Sequence, residues 1–156
     1  MCLMYEYEEF KDNFKRKALN FVVRSEHDAP DSVIDEIIKY APKGSLANKH
    51  LDKDNILSRG HKIAVLRKLG KVIGYVIVSI IPEYNGYKNC RWIEGIEVFP
   101  KYRGYGLGKI LLDIAVDEFR ANWLTVSVNN TTAIHLYEEA KFKEYKRNGS
   151  SIVMKQ

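Results

Sequence analysis

Two apolar runs dominate the hydrophobic pattern of the chain. His61 to Arg67 and Val72 to Ile81 flank Leu69-Gly70-Lys71, and seven of the ten residues in the second run are Val or Ile. Such β-branched density favours strand over helix and implies burial on both faces, so two central antiparallel strands joined by a hairpin are expected. Upstream the pattern is weaker. Alternating Tyr and Glu predict a first strand over residues 4–10, while Phe14, Ala18, Leu19, Phe21 and Val22 fall at helical intervals and predict a helix over 11–24. Val33, Ile34, Ile37 and Ile38 form the stripe of a short helix, opened by Asp31-Ser32 and ended by Pro42 and Gly44. Residues 42–60, polar and broken by Gly, Ser, Asn and Asp, read as a long connection of the kind that often carries function.

Downstream, Pro82 to Cys90 reads as a loop leading into Trp92 to Phe99, a strand that stops at Pro100 because proline cannot donate a ladder hydrogen bond. From Gly108 the spacing turns helical. Lys109, Asp113, Asp117 and Arg120 form a polar stripe, leaving Leu111, Leu112, Ala115, Val116 and Phe119 for a core. Trp123 to Val128 is the next strand, parallel to Trp92–Phe99 by the right-handed crossover rule. Ala133, Leu136, Tyr137 and Ala140 mark a second helix, and residues 143–147 and 151–155 close a hairpin through Asn148-Gly149. The chain is thus expected to be one α/β domain over residues 1–156, a mixed central sheet flanked by helices.

Composition adds limits. Cys2 and Cys90 supply neither a disulfide framework nor metal-ligand spacing. Residues 1–20 lack the apolar core of a signal peptide, and Val72–Ile81 is too short to span a bilayer, so a cytoplasmic protein with no membrane partner is expected. The net charge of +5 is dispersed along the sequence, without a block of five or more basic residues. An anionic cofactor accounts for part of that excess. A nucleic-acid partner is not called for, unless the substrate is an amine carried on tRNA.

The candidate chemistry lies between the strand and the helix, at Arg103-Gly104-Tyr105-Gly106-Leu107-Gly108. Three glycines at alternate positions free the backbone to turn its N–H groups onto one anion, and the following helix start adds unpaired N–H groups. Lys101, Arg103 and Lys109 flank the loop, and no acidic residue occurs in 100–112. A pyrophosphate cradle follows. The spacing differs from the dinucleotide fingerprint Gly-x-Gly-x-x-Gly and from a Walker loop.

Val98, Pro100, Tyr102, Arg103, Gly104, Gly106 and Gly108 resemble the Val-x-Pro-x-Tyr-Arg-Gly-x-Gly-x-Gly signature of the GNAT N-acetyltransferase superfamily. Asn130, Ala133, Leu136, Tyr137 and Phe142 are similar to its later Asn-x-x-Ala-x-x-Leu-Tyr-x-x-x-Gly-Phe segment, with Lys141 standing where the family has glycine. The resemblance implies an acetyl-CoA-dependent transfer of an acetyl group to an amine-bearing acceptor, small molecule or protein, by a monomer or homodimer. It implies that the two parallel strands splay, leaving backbone groups of Ile96 and Val98 to hold the pantetheine arm. The loop from Arg103 to Lys109, Tyr105 and Leu107 included, would take the pyrophosphate, and the segment 42–60 would line the acceptor pocket.

The chemistry then needs a base and an acid. Tyr137, neutral at pH 7, is the expected donor to the departing thiolate, although its stripe would bury it in any case. Asn130 is expected to cap its helix, and the resemblance implies that its side chain contacts the cofactor. An alkyl amine is charged at pH 7, so a carboxylate is wanted, and Glu94 and Glu97 stand in the strand. Strand alternation puts Glu94 on the face of Ile96 and Val98 and Glu97 opposite, so Glu94 is the expected base ahead of Glu97, unless a bulge reverses the parity. His27, His50, His61 and His135 are expected to be solvated and Cys90 structural, while Tyr84 and Tyr87 would fringe the acceptor site. A non-catalytic acyl-CoA-binding or nucleic-acid-associated module is the alternative, against which Tyr137 and the strand carboxylates weigh.

Overall fold

The computed structural model describes residues 2–6, 20–24 and 31–156. The strands β1 (Cys2–Glu6), β2 (Asn20–Arg24), β3 (His61–Lys68), β4 (Lys71–Tyr84), β5 (Tyr87–Val98), β6 (Trp123–Ser127), β7 (Lys143–Asn148) and β8 (Ser151–Lys155) lie in one sheet in the order β1-β2-β3-β4-β5-β6-β8-β7. Every neighbouring pair is antiparallel except β5 with β6, which is parallel. The mixed sheet is as expected.

The N-terminal helix is not. Residues 20–24 form β2, paired with β1 on one side and β3 on the other. Phe21, Val22 and Val23 suit a pleated surface, and an open edge on β3 rewards extended backbone more than a weak helical spacing does. Residues 7–19 and His27 lie outside the described residues.

The Val/Ile run forms β4, the spine between two cores. Val76 and Val78 pack with Ala64, Leu66 and the helices on one face, while Val72, Tyr75 and Ile77 pack with Ile63 and Val65 on the other. Period-2 alternation alone would put Val72 and Ile73 out of phase with Tyr75 to Val78. A bulge opposite Leu66 and Arg67 corrects the phase. The β4–β5 hairpin is longer than expected: strand pairing continues through residues 81–90 and closes at Asn85-Gly86, both at positive φ. The pair Asn-Gly suits that left-handed turn, and Pro82, which has no N–H to give, simply drops out of the ladder.

One face of the sheet carries α1 (Asp31–Tyr40), α2 (Leu46–His50) and α3 (Lys53–Leu57). Much of the expected long connection is therefore helical. Each short helix is started by a side-chain cap: Ser45 Oγ accepts from the Asn48 N–H at 3.1 Å, and Asp52 Oδ1 from the Asn55 N–H at 3.1 Å.

The other face carries α4 (Leu107–Asp113), α5 (Thr131–Glu139) and, directly after α4, a wide π-type turn over Ile114–Glu118 in which the Phe119 N–H donates to the Ile114 carbonyl at 3.0 Å. The expected polar stripe therefore holds only as far as the Lys109–Asp113 pair before the turn widens. Among the described residues no helix is long and apolar enough to cross a membrane.

Candidate active site

Strands β5 and β6 share two ladder pairs, Trp92 with Trp123 and Ile93 with Leu124. Beyond Ile93 they part. The opening is a groove of about 650 Å³ whose walls are Ile96, Glu97 and Val98 of β5, the glycine loop, and the Asn130, Ala133 and Tyr137 side of α5.

The loop places backbone where side chains would otherwise stand. Gly104 and Gly106 take φ of 87° and 76°, a region costly for any residue with a Cβ, and Gly106 caps α4 in that conformation. Gly108 differs: its φ is ordinary, but a Cβ added there would meet nothing within 4 Å. Its smoothness keeps the groove open. Arg103 Nε donates to the Val98 carbonyl at 2.8 Å, tying the loop to the end of β5. That carbonyl keeps a second lone pair, and Ile96 and Val98 both lie beyond the two rungs that β5 shares with β6. Leu107 and Arg103 border the groove, whereas Tyr105 packs against the core and Lys109 pairs with Asp113 at 3.1 Å. The open groove, the left-handed glycines and the stretch of β5 that has no ladder partner in β6 fit a nucleotide thioester with an extended arm.

Tyr137 reaches the groove from α5 with 7% of its surface exposed. Burial pushes its hydroxyl from the ordinary 10.0 up to about 12, so it holds its proton at neutral pH. Its position is set at the helix end. The Phe142 N–H donates to the Tyr137 carbonyl at 3.0 Å and the Lys141 N–H to the Glu138 carbonyl at 2.9 Å, the paired bonds of a Schellman motif. Lys141 itself takes φ 72°, so the left-handed turn is kept without its glycine. Phe142 is thereby swung under Tyr137, ring centroids 6.2 Å apart. Asn130 starts the helix, its Oδ1 accepting from the Ala133 N–H at 3.2 Å, and lines the groove as well.

The two carboxylates part company. A bulge opposite Ile77 and Val78 leaves Glu94 without a cross-strand partner, so Ile93 rather than Glu94 joins the core face of Val98. The expected parity is thus corrected at Glu94, whose Oε1 accepts from Arg59 Nη1 at 3.2 Å. Arg59 is held in turn by the Asn55 carbonyl of α3. Glu97 keeps its alternation and lines the groove. Its carboxylate accepts from the Leu46 N–H at 3.0 Å, the Ala47 N–H at 3.2 Å and the Tyr75 hydroxyl at 3.2 Å.

Tyr75 and the first amides of α2 are parts of this site that the sequence did not reveal. The one available signal was a hydroxyl-bearing aromatic inside an otherwise apolar run. Tyr75 is fully buried, and burial, with Glu97 beside it, raises its pKa well above the ordinary value.

Other expected residues stand elsewhere. Tyr84 and Tyr87 pack edge-on against Trp123, not in the groove. His61 is 3% exposed instead of solvated, with Nδ1 3.0 Å from the Arg59 carbonyl, because the hairpin it opens lies mid-sheet. His135 is exposed beside Glu139, and Cys90 is buried with its thiol toward the Tyr87 carbonyl. The side chain of His50 lies outside the described residues.

A model of the acetyltransferase (GNAT) family matches residues 23–142. A streptothricin acetyltransferase from Streptomyces lavendulae is 36% identical over 78 residues, which are 47% of this chain and 39% of that protein's length. In structure the chain is similar to the ribosomal-protein-S18-alanine N-acetyltransferase of Escherichia coli, with TM-score 0.61 and 21% identity over 86% of this chain and 91% of that one. It is also similar to a PaiA N-acetyltransferase of Thermoplasma acidophilum solved with coenzyme A, with TM-score 0.60 and 16% identity over 87% and 98% of the two chains.

Proposed function

The chain belongs to the acetyltransferase (GNAT) family, and from that membership we propose an acetyl-CoA-dependent N-acetyltransferase that acts on a primary amine by direct attack in a ternary complex. One observation carries the proposal: the groove opened between β5 and β6 brings a carboxylate, Glu97, and a buried neutral phenol, Tyr137, to the same lining. Acetyl-CoA supplies a thioester whose acetyl group an amine can take.

The protein's residues do the rest. The glycine loop and Arg103 would receive the pyrophosphate, and the edge of β5 at Ile96, beyond its rungs with β6, would hold the pantetheine arm and offer a backbone donor to the acyl oxygen. Glu97 has about four lone-pair positions, of which Leu46, Ala47 and Tyr75 occupy three, so one is left to accept a proton from the incoming ammonium directly or through a water. Tyr137 gives its proton to the departing thiolate. Glu94, tied to Arg59 and away from the groove lining, holds the bulge and does not meet the amine.

The acceptor classes to test are small-molecule amines and protein amines, the relatives being named for streptothricin and for an alanine of ribosomal protein S18. The protein would act in the cytoplasm as a monomer or homodimer. Thiol release from acetyl-CoA against a panel of antibiotics, polyamines, peptides and aminoacyl-tRNA tests the proposal. Release that depends on one amine class and is lost in Tyr137→Phe supports it. Coenzyme A binding with no release above background across the panel would leave a binding module and refute it.

A further inference from the structure

On the sheet face away from α5, three segments meet at a second cavity of about 330 Å³, lined by Tyr40 and Pro42, by Lys71 and Val72, and by Phe99 to Tyr102. The volume suits a small ligand group. Its segments, 37–45, 66–73 and 98–104, carry Lys39, Lys43, Lys68, Lys71 and Lys101 and no Asp or Glu. Among the described residues none of these lysines has a carboxylate at ion-pair distance; Glu36 is paired with Arg67, and Glu97 accepts from the α2 amides. The charges that look dispersed in sequence are gathered by the fold.

The hairpin tip beside the cavity is built against its own stability. Lys68 stands directly opposite Lys71 in the β3–β4 ladder, a like-charge pair. Leu69 takes φ 52°, unfavourable for a branched side chain, and leaves 89% of its surface in water.

We propose that this face docks single-stranded nucleic acid, one base entering the cavity between Tyr40 and Tyr102 while Lys71, Lys101 and their neighbours take the flanking phosphates. Lysine ammonium groups already lie near both rings, Lys39 Nζ 5.3 Å from the Tyr40 centroid and Lys101 Nζ 5.8 Å from that of Tyr102. Cation and π-face are thus presented together, the pairing that single strands use. A lipid surface would meet the lysines and Leu69 but leave the ring-lined cavity empty. A duplex keeps its bases stacked and cannot fill it either.

The test is fluorescence anisotropy of a labelled single-stranded oligonucleotide of about 12 nucleotides with the full chain, over a salt series. Binding should weaken linearly in log[salt] and persist in saturating coenzyme A. Lys71→Glu should weaken it at least about tenfold at low salt and lessen the salt slope, while holding or raising the thermal midpoint, because it turns the Lys68 repulsion into attraction. Tyr40→Leu should weaken it about 5- to 100-fold with the slope unchanged. No binding, equal binding by both variants, equal binding of the matching duplex or of phosphatidylserine vesicles, or displacement by coenzyme A would each overturn the proposal.

Discussion

Tyr137 and Glu97 come to the groove from different elements, and each has a packing or structural duty besides its proposed chemistry. Tyr137→Phe keeps the ring against Phe142 and should leave coenzyme A affinity unchanged, while turnover falls by roughly 10- to 10⁴-fold. The same variant has an alkaline signature. A hydroxyl raised to about 12 in the fold and near 10.0 when unfolded contributes stability that is complete below pH 10 and is lost as pH rises toward 12. Urea midpoints at pH 8 and pH 11 should therefore differ less in Tyr137→Phe than in the parent, with Tyr75, raised likewise, supplying the remaining fall. Glu97→Gln should remove the acidic limb of kcat/KM against pH, with activity recovering at high pH where the amine, of reference pKa near 10.4, deprotonates unaided. Glu94→Gln should leave that profile alone and cost no more than about 1 kcal/mol through the Arg59 pair. The glycines and Tyr137 are legible in sequence because their spacing is local. The orientation of Glu94, expected on the face of Ile96 and Val98, was not, since it turns on a bulge that only the register of β4 with β5 discloses.

Helix α5 owes its end to a residue poorly suited to it. Lys141→Gly relieves a left-handed side chain and should raise stability by about 1 kcal/mol in chemical denaturation, without altering cofactor affinity. Gly108 allows the opposite experiment. Valine there is a better helix former than glycine, so the thermal midpoint should hold, but its side chain enters the groove and calorimetry should find coenzyme A binding lost. Persistence of binding would mean that the cradle lies elsewhere. Elements with strong periodicity, such as β4, α1 and the β7–β8 hairpin, were visible in advance. Those that failed did so for a physical reason: residues 20–24 are recruited by a neighbouring strand, α2 and α3 are single turns held by Ser45, Asp52 and Glu97, and the Asn85-Gly86 turn was masked by Pro82.

Across the whole molecule, the sequence foretold a mixed sheet between helical layers but not which faces carry charge, because the lysines of three separate segments converge only when α1, the β3–β4 hairpin and the end of β5 are assembled. The seam between β5 and β6 has a mechanical meaning of its own. Its two ladder pairs lie at one end, beside the stacked rings of Trp92 and Trp123 at 5.3 Å and 9°, while the other end is unlaced. The sheet is therefore a pair of blades on one rivet, with β1 to β5 in the first and β6, β8 and β7 in the second. A strand-like guest in the gap sews the open end shut. Amides of residues 123–127 and 151–155, on the second blade, should consequently exchange with deuterium more slowly when coenzyme A is present, including those that never touch it.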